Sequence, residues 1–216
     1  MPFVIGSSRQ IATFDDDFRR MLDGRPDVIC LNYFPLHWRQ AGFKPGIWVW
    51  GDTYSPENVE CCRQAMLHVA ADPDLVDMQV YVSIEFRTVP PEELMGILPC
   101  TFYRRHDWLS PCQSPARTLS DRFFHYGSTI TDAANLAMIL FPGEQISLYG
   151  CPHAGPAGHF YDPEGSRGAS SGVGFTHMWD GFSRLKHEFG FPLVDCNTEG
   201  SKHHAFHFGH HPGQGV

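Results

Sequence analysis

The sequence predicts an α/β fold, in which a mostly parallel sheet carries helices on both faces. Short apolar runs rich in β-branched residues alternate with helical patterns along the chain, as repeated βαβ units require. Small or polar residues follow several of these runs directly, which is typical of strand ends in such sheets. The length of 216 residues suits one domain, which we place at 1–200, followed by a His- and Gly-rich tail at 201–216.

The first half of the chain predicts four strands and two helices. The strands are expected at residues 3–5, 27–31, 46–50 and 78–84. A helix over 15–22 begins with acidic residues, which complement the positive end of the helix dipole. A second helix ends near residue 70 and begins with Ser55 as its cap and Pro56 in its first turn.

The second half begins with a segment rich in proline and aromatic residues. This segment, at about 87–124, predicts an irregular insertion with one short strand near 98–103. Helices are expected at 129–140 and 176–189, and strands at 145–148 and 192–195. The large aromatic residues outside the insertion are interpreted as core: Trp38, Trp48, Trp50, Phe182 and Phe189. Trp108, inside the insertion, is a candidate to stack on an acceptor molecule.

Charge and cysteine content restrict the partners and the location. Acidic residues outnumber basic ones by 24 to 16, and this net charge of −8 disfavours a nucleic-acid-binding surface. No apolar run reaches the ~18 residues of a membrane span, and no secretion signal is recognised, so we expect no integral membrane segment. The 7 cysteines lack C-x-x-C spacing, which favours reduced thiols and a cytoplasmic protein. The histidines of the tail could collect a metal ion, but their loose spacing favours a flexible terminus.

Short polar residues recur at the predicted carboxyl ends of the strands. They are Gly6, Ser7, Ser8, Asn32, Asp52, Gly150, Asn197, Thr198 and Glu199. Because parallel strands present their carboxyl ends at one edge, these residues predict a ligand site there. Backbone N–H groups of residues 6–9 could hold a phosphate, helped by the helix expected to follow them. On this hypothesis, Gly6→Val or Ser7→Glu abolishes nucleotide binding and leaves the fold intact.

The order of these segments resembles a known superfamily. The first three strands end in V-I-G-S-S-R-Q, C-L-N-Y-F and V-W-G-D-T. The Ala-rich helix opens with Y-G-S-T-I-T-D-A-A, and the last two strands end in I-S-L-Y-G-C-P-H and L-V-D-C-N-T-E-G. Together these motifs resemble the bacterial CMP-sialic-acid-dependent sialyltransferases and the related domain of motility-accessory glycosyltransferases and hydroxymethylpterin pyrophosphokinase. The resemblance implies a Rossmann-like fold that is a variant of the GT-A type.

The resemblance also implies a site and a mechanism. The donor-binding residues would be Gly6, Ser7, Ser8, Asn32, Asp52, Ser128, Thr129, Gly150, Asn197, Thr198 and Glu199. The catalytic residues would be His177, His153, His159 and Tyr161. His177 would act as general base on the acceptor hydroxyl, and the other three would donate to the leaving phosphate. From the residues alone, Ser128 and Thr129 are equally well explained as caps of their helix.

Three functions remain compatible with the sequence. The first is a metal-independent glycosyltransferase that needs no cofactor and moves a sialic-acid-like sugar from a CMP-linked donor to a small-molecule or glycan acceptor. The second is a pyrophosphotransferase that uses ATP and Mg²⁺, with Asp52, Asp195 or Glu199 holding the metal. The third is a non-catalytic nucleotide- or sugar-binding module. Members of the superfamily often assemble, so a homo-oligomer is compatible with each.

Overall fold

One parallel sheet organises the protein. The computed structural model describes residues 1–53, 55–84, 94, 96–107, 113–151, 159–162 and 172–197. Its strands are β1 (Phe3–Ile5), β2 (Val28–Leu31), β3 (Ile47–Trp50), β4 (Gln79–Ser83), β5 (Thr101–Arg105), β6 (Arg122–Phe123), β7 (Ile146–Tyr149) and β8 (Leu193–Asp195). They form a single 8-stranded sheet in the order β6-β5-β4-β3-β2-β1-β7-β8. Each neighbouring pair is parallel, so all the strands end at the same edge.

The helices begin where the sequence supplies caps. They are α1 (Asp16–Leu22), α2 (Trp38–Ala41), α3 (Pro56–Ala70), α4 (Thr129–Leu140) and α5 (Gly172–His187), with 3₁₀ turns at Arg9–Thr13, Phe34–His37 and Pro73–Leu75. The Asp15 carboxylate accepts from the Phe18 N–H at the start of α1. The Ser55 hydroxyl accepts from the Asn58 N–H at the start of α3, as predicted.

Helices cover both faces of the sheet, as predicted. Alternate strand side chains point to opposite faces, so Val4 packs in the same buried cluster as Ala133 of α4 and Leu185 of α5. Cys30 packs with α1 and α2 on the other face, and Trp50 packs there with α3. Trp48, Trp50 and Phe182 are fully buried, which confirms them as core. Trp38 and Phe189 are partly buried against the same clusters.

The chain reverses its direction across the sheet between β1 and β7. From β1 it adds strands outward to β6, and it then returns to place β7 on the other side of β1. The loops that leave β1 and β7 therefore diverge at the carboxyl edge, and open α/β sheets bind their ligands in such a crevice. Among the described residues, no helix combines the length and the apolar character that spanning a membrane requires.

The largest differences from prediction lie in and after the insertion. The strand expected at 98–103 is β5, which runs from Thr101 to Arg105. The short β6 was not predicted, because 2 residues give no periodicity. The helix expected at 176–189 is α5, which runs from Gly172 to His187. Trp108 and the tail at 201–216 lie outside the described residues.

Candidate functional site

The ends of β1 and β7 touch through two glycines. The Gly6 N–H donates to the Tyr149 carbonyl at 2.8 Å, and the Ser8 N–H donates to the Gly150 carbonyl at 3.1 Å. A Cβ atom on Gly6 would lie 2.3 Å from the Gly150 carbonyl oxygen. Gly6 and Gly150 therefore permit close contact between two backbones at the point where the strand order reverses.

This contact changes the role expected for the turn after β1. Two N–H groups expected to hold a phosphate, those of Gly6 and Ser8, are bonded to the end of β7. The helix that follows is a 3₁₀ turn of 5 residues, and the Ser8 hydroxyl accepts from the Gln10 N–H as its cap. Two of the four N–H groups of residues 6–9 are thus already bonded within the protein, and a short 3₁₀ turn stands where a phosphate cradle uses a long helix. The phosphate-cradle hypothesis is wrong for these two donors.

The side chain of Ser7 joins two other predicted site residues. Ser7 Oγ lies 2.6 Å from His159 Nδ1, and the Phe160 N–H donates to the Ser7 carbonyl at 2.9 Å. The Tyr161 ring stacks on His37, with centroids 4.1 Å apart, and on His159 at 4.9 Å. The structure therefore brings Ser7, His159 and Tyr161 together at the carboxyl edge, as predicted.

Tyr161 is a hydrogen-bond donor at neutral pH. Burial raises the pKa of Tyr161 to about 12, although its hydrogen bond with Ser7 acts in the opposite direction. The nearby carboxylates of Asp162 and Asp52 raise this pKa further. The phenol therefore keeps its proton and can donate to an anionic oxygen.

Asn32 holds Asp52 in place. Asn32 Nδ2 donates to Asp52 Oδ2 at 2.7 Å, and Asn32 Oδ1 accepts from the Gly51 N–H at 3.1 Å. The backbone of Asn32 has a φ of 44°, which is uncommon outside glycine and fits a short amide side chain. The amide of Asn32 is thus engaged with the neighbouring loop after β3. These two hydrogen bonds fix the position of the Asp52 carboxylate.

Asp52 is the carboxylate in the loop that follows β3. Burial raises the pKa of the Asp52 carboxyl; the charge of Asp132 adds to this effect and that of Arg105 opposes it. Thr129 Oγ1 lies 3.5 Å from Asp52 Oδ1, so the first turn of α4 reaches the same group. An ionised carboxylate in this position can accept hydrogen bonds from the hydroxyls of a sugar or a ribose.

We expect Asp52→Asn to raise the free energy of unfolding near pH 7. A carboxyl with a raised pKa stabilises the fold only while it is protonated, and this contribution is lost as the pH rises through the folded-state pKa. Asparagine cannot ionise, so its advantage should shrink as the pH falls toward about 3.9, the pKa of an unperturbed aspartate. Urea unfolding of both proteins at several pH values measures this, and equal stabilities near pH 7 would contradict it.

The amino end of α4 lies over the carboxyl edge. A Cβ on Gly51 would lie 2.3 Å from Thr129 Oγ1, and one on Gly6 would lie 3.3 Å from Ile130 Cδ1. The helix therefore begins above the ends of β1 and β3. The side chain of Ser128, which precedes α4, makes no capping hydrogen bond, so the capping alternative is wrong for Ser128. The Thr131 N–H donates to the Ser128 carbonyl at 3.0 Å, so the N–H groups of Thr129 and Ile130 are the ones without a partner within α4, and they lie at the positive end of its dipole.

A buried polar cluster that was not predicted adjoins this helix. Asp132 in α4 accepts from Tyr103 Oη at 3.0 Å and from Arg105 Nη1 at 3.3 Å. Its second oxygen lies 2.7 Å from His125 Nδ1. Asp132 is fully buried, and only 4% of the Arg105 side chain is exposed. A carboxylate within an Ala- and Leu-rich helix was the available signal, because such a residue needs a partner when buried.

The end of β8 is held by amide side chains. The Cys151 N–H donates to Asn197 Oδ1 at 2.8 Å, and Asn197 Nδ2 donates to Asp195 Oδ1 at 2.7 Å. The Gly150 N–H donates to Gln10 Oε1 at 2.7 Å. Asn197 therefore ties β8 to the end of β7, and its amide is occupied in doing so.

The remaining predicted site residues are only partly described. His153, Thr198 and Glu199 lie outside the described residues. His177 lies one turn before Gly181 in α5, and a Cβ on Gly181 would be 2.6 Å from Tyr126 Cβ. Because α5 leads into a parallel strand, its earlier turn lies nearer the carboxyl edge. His177 is thus placed on the same side of the sheet as α4.

The described side chains at the carboxyl edge were compared with metal sites, and the chain was compared with known proteins. Among the residues for which the structure gives positions, no group of 3 or more His, Cys, Asp or Glu side chains is arranged to hold a metal ion. The chemistry of the site follows from Ser7, Asp52, Tyr161 and the amino end of α4. No protein-family model matches the chain, and no curated protein matches it either.

Proposed function

We propose that the protein binds a nucleotide at the carboxyl edge of its sheet. The observation that carries the proposal is the position of the α4 amino end above the ends of β1 and β3. It coincides with the edge where the strand order reverses, and Asp52, Ser7 and Tyr161 adjoin it. A phosphate at the start of α4 would receive the N–H groups of Thr129 and Ile130 and the dipole of a 12-residue helix, whereas only a 3₁₀ turn of 5 residues follows β1.

The neighbouring side chains suit the rest of a nucleotide. The Asp52 carboxylate, held by Asn32, would accept from ribose or sugar hydroxyls. Tyr161 would donate to a phosphate oxygen, because burial raises the pKa of its phenol to about 12. The Ser7 hydroxyl, which contacts His159, would donate a hydrogen bond to the ligand.

We further propose that the bound nucleotide is the leaving group of a glycosyl transfer. The acceptor hydroxyl would attack the anomeric carbon of a CMP-linked, sialic-acid-like sugar, and the C–O bond to the phosphate would break. His177 would take the hydroxyl proton, and the electron pair of the broken bond would remain on the phosphate. The support is the resemblance of the strand-end motifs together with the protonated Tyr161, which can stabilise the leaving oxygen.

The pyrophosphotransferase and the non-catalytic module remain the alternatives. A pyrophosphotransferase would bind ATP with Mg²⁺, and Asp52, whose Oδ1 lies 3.5 Å from Thr129 Oγ1 in the first turn of α4, would be a ligand of the metal. A binding module would hold the nucleotide without turnover. Nucleotide preference distinguishes the pyrophosphotransferase from a glycosyltransferase. Turnover distinguishes either enzyme from the binding module.

Thermal unfolding with CMP, CDP, UDP, GDP or ATP, each with Mg²⁺ or a chelator, tests the proposal. We expect CMP or CDP at saturation to raise the Tm by about 5 °C without Mg²⁺, because a ligand at 100 times its Kd adds about 2.7 kcal/mol. Asp52→Ala should abolish the rise. Asp77→Asn, exposed at the opposite edge of the sheet, should preserve it. A rise with ATP and Mg²⁺ alone would favour the pyrophosphotransferase, and no rise with any nucleotide would refute the site.

A further inference from the structure

His125 is held by a carboxylate that fixes which ring nitrogen carries the proton. Asp132 accepts from Tyr103 and Arg105 through one oxygen, and its other oxygen lies 2.7 Å from His125 Nδ1. Arg105 Nη1 also lies 3.5 Å from Nδ1, but the Asp132 oxygen is much closer. A carboxylate paired with an arginine only accepts, so Nδ1 of the neutral imidazole carries the hydrogen. The lone pair is therefore on Nε2.

The Nε2 atom remains available for a ligand. Within the described parts of the chain, no protein group is within hydrogen-bond distance of Nε2, and 10% of the side chain reaches the surface. The backbone of His125 is fixed by Gln113, which accepts from its N–H at 2.7 Å and donates to its carbonyl at 2.9 Å. The backbone of His125 and its Nδ1 atom are thus both held, while Nε2 has no hydrogen-bond partner among the described residues.

His125 lies at the same edge as the proposed phosphate. It lies two residues after the end of β6, and Ser128 at the start of α4 comes three positions later in the chain. His125 and Asp52 lie within electrostatic range of each other, because a protonated His125 lowers the pKa of Asp52. The position after a strand and before a helix is the one that open α/β sheets use for ligand contacts.

Among the described residues around His125, carboxylates outnumber arginines. The ionisable groups of this part of the chain that act on His125 or on its carboxylate are Asp132 from α4, Arg105 and Tyr103 from β5, and Asp52 from the loop after β3. Arg105 offsets one of the two carboxylates, so a neutral imidazole leaves an excess of negative charge. A phosphate would increase that excess, and a proton on Nε2 would reduce it.

We propose that His125, held by Asp132, is a ligand-binding residue whose Nε2 takes up a proton when a nucleotide phosphate binds at the start of α4. The proposal rests on the proposed nucleotide site and assigns its cation. The imidazolium would donate through Nδ1 to Asp132 and through Nε2 to a phosphate oxygen. If the cluster only stabilised the packing of β5 against α4, nucleotide binding would cause no proton uptake.

Calorimetric titration with CMP in two buffers of different ionisation enthalpy tests this at pH 7.5. We expect proton uptake by the natural protein that His125→Asn lacks, together with an approximately tenfold weaker affinity. The asparagine amide can occupy the position of Nδ1 and keep the bond to Asp132, but it has no counterpart of Nε2. His68→Asn, exposed on α3, should behave as the natural protein. Comparing variants removes the contribution of protons bound by CMP itself.

Two outcomes separate this proposal from the nucleotide site. If His125→Asn binds CMP with unchanged affinity and proton uptake, His125 is structural while the nucleotide site stands. If the natural protein binds none of the five nucleotides, both the nucleotide site and the role of His125 are refuted. Should His125→Asn not fold, the ¹⁵N resonance of His125 Nε2 in the natural protein decides: on adding CMP it must move to the position of a protonated nitrogen, and an unmoved signal refutes the proposal.

Discussion

A single methyl group at Gly6 is expected to destabilise the protein by about 3 kcal/mol. The Cβ of Gly6→Ala would lie 2.3 Å from the Gly150 carbonyl oxygen and 2.9 Å from its carbonyl carbon. Both are backbone atoms of the loop after β7, which Gln10 and Asn197 also hold. The ends of β1 and β7 would have to separate, and the hydrogen bond from the Gly6 N–H to the Tyr149 carbonyl would weaken.

Gly143→Ala is the matched control for this collision. A Cβ on Gly143 meets no atom within 4 Å, so the control reports only the cost of alanine at a φ of +79°. That cost is about 1 kcal/mol. Urea unfolding of both variants measures the difference, and equal losses would contradict the close contact between β1 and β7.

The same contact alters the test that the sequence first suggested. Gly6→Val was expected to abolish nucleotide binding and leave the fold intact, but its larger side chain meets the same backbone as alanine does. Lost binding in that variant would therefore reflect lost structure. Ser7→Glu remains informative, because Ser7 is only partly buried and its hydroxyl contacts the side chain of His159.

Local signals in the sequence predicted most of the helices and strands. Residues 129–140 form α4 as predicted, because this Ala- and Leu-rich run contains no Gly or Pro to interrupt the helix. Ser55 and Pro56 fixed the start of α3, since capping depends on neighbouring residues alone. The strand order was beyond such signals, because the pairing of β1 with β7 is a contact between distant parts of the chain.

The candidate site was predicted where it depends on strand ends, and missed where it depends on packing. Ser7 and Asp52 each follow a strand, so parallel topology alone places them at one edge. The cluster of Arg105, His125 and Asp132 joins β5, the residue pair after β6, and α4. No spacing along the chain shows that these residues meet, because β6 itself gave no strand signal.

Removing the carboxylate of this cluster is the second change with a large expected effect. We expect Asp132→Ala to lower the free energy of unfolding by about 3–5 kcal/mol, because it leaves the charge of Arg105 buried without this carboxylate. Tyr103 loses its hydrogen-bond acceptor in the same variant, and His125 loses the partner of its Nδ1. Chemical denaturation with far-UV circular dichroism measures the loss.

Restoring charge balance should recover much of that stability. In Asp132→Ala with Arg105→Met, the buried cation is gone together with its carboxylate, and methionine fills similar volume. The double variant should therefore be more stable than Asp132→Ala alone, and the two changes should be non-additive. Additive losses would show that burial of the Arg105 charge is not what makes Asp132 necessary. His125→Asn keeps both Asp132 and Arg105, so it should lower the free energy of unfolding far less than Asp132→Ala does. The stability of the cluster therefore depends on Asp132 and Arg105, whereas the proton uptake that we propose depends on His125.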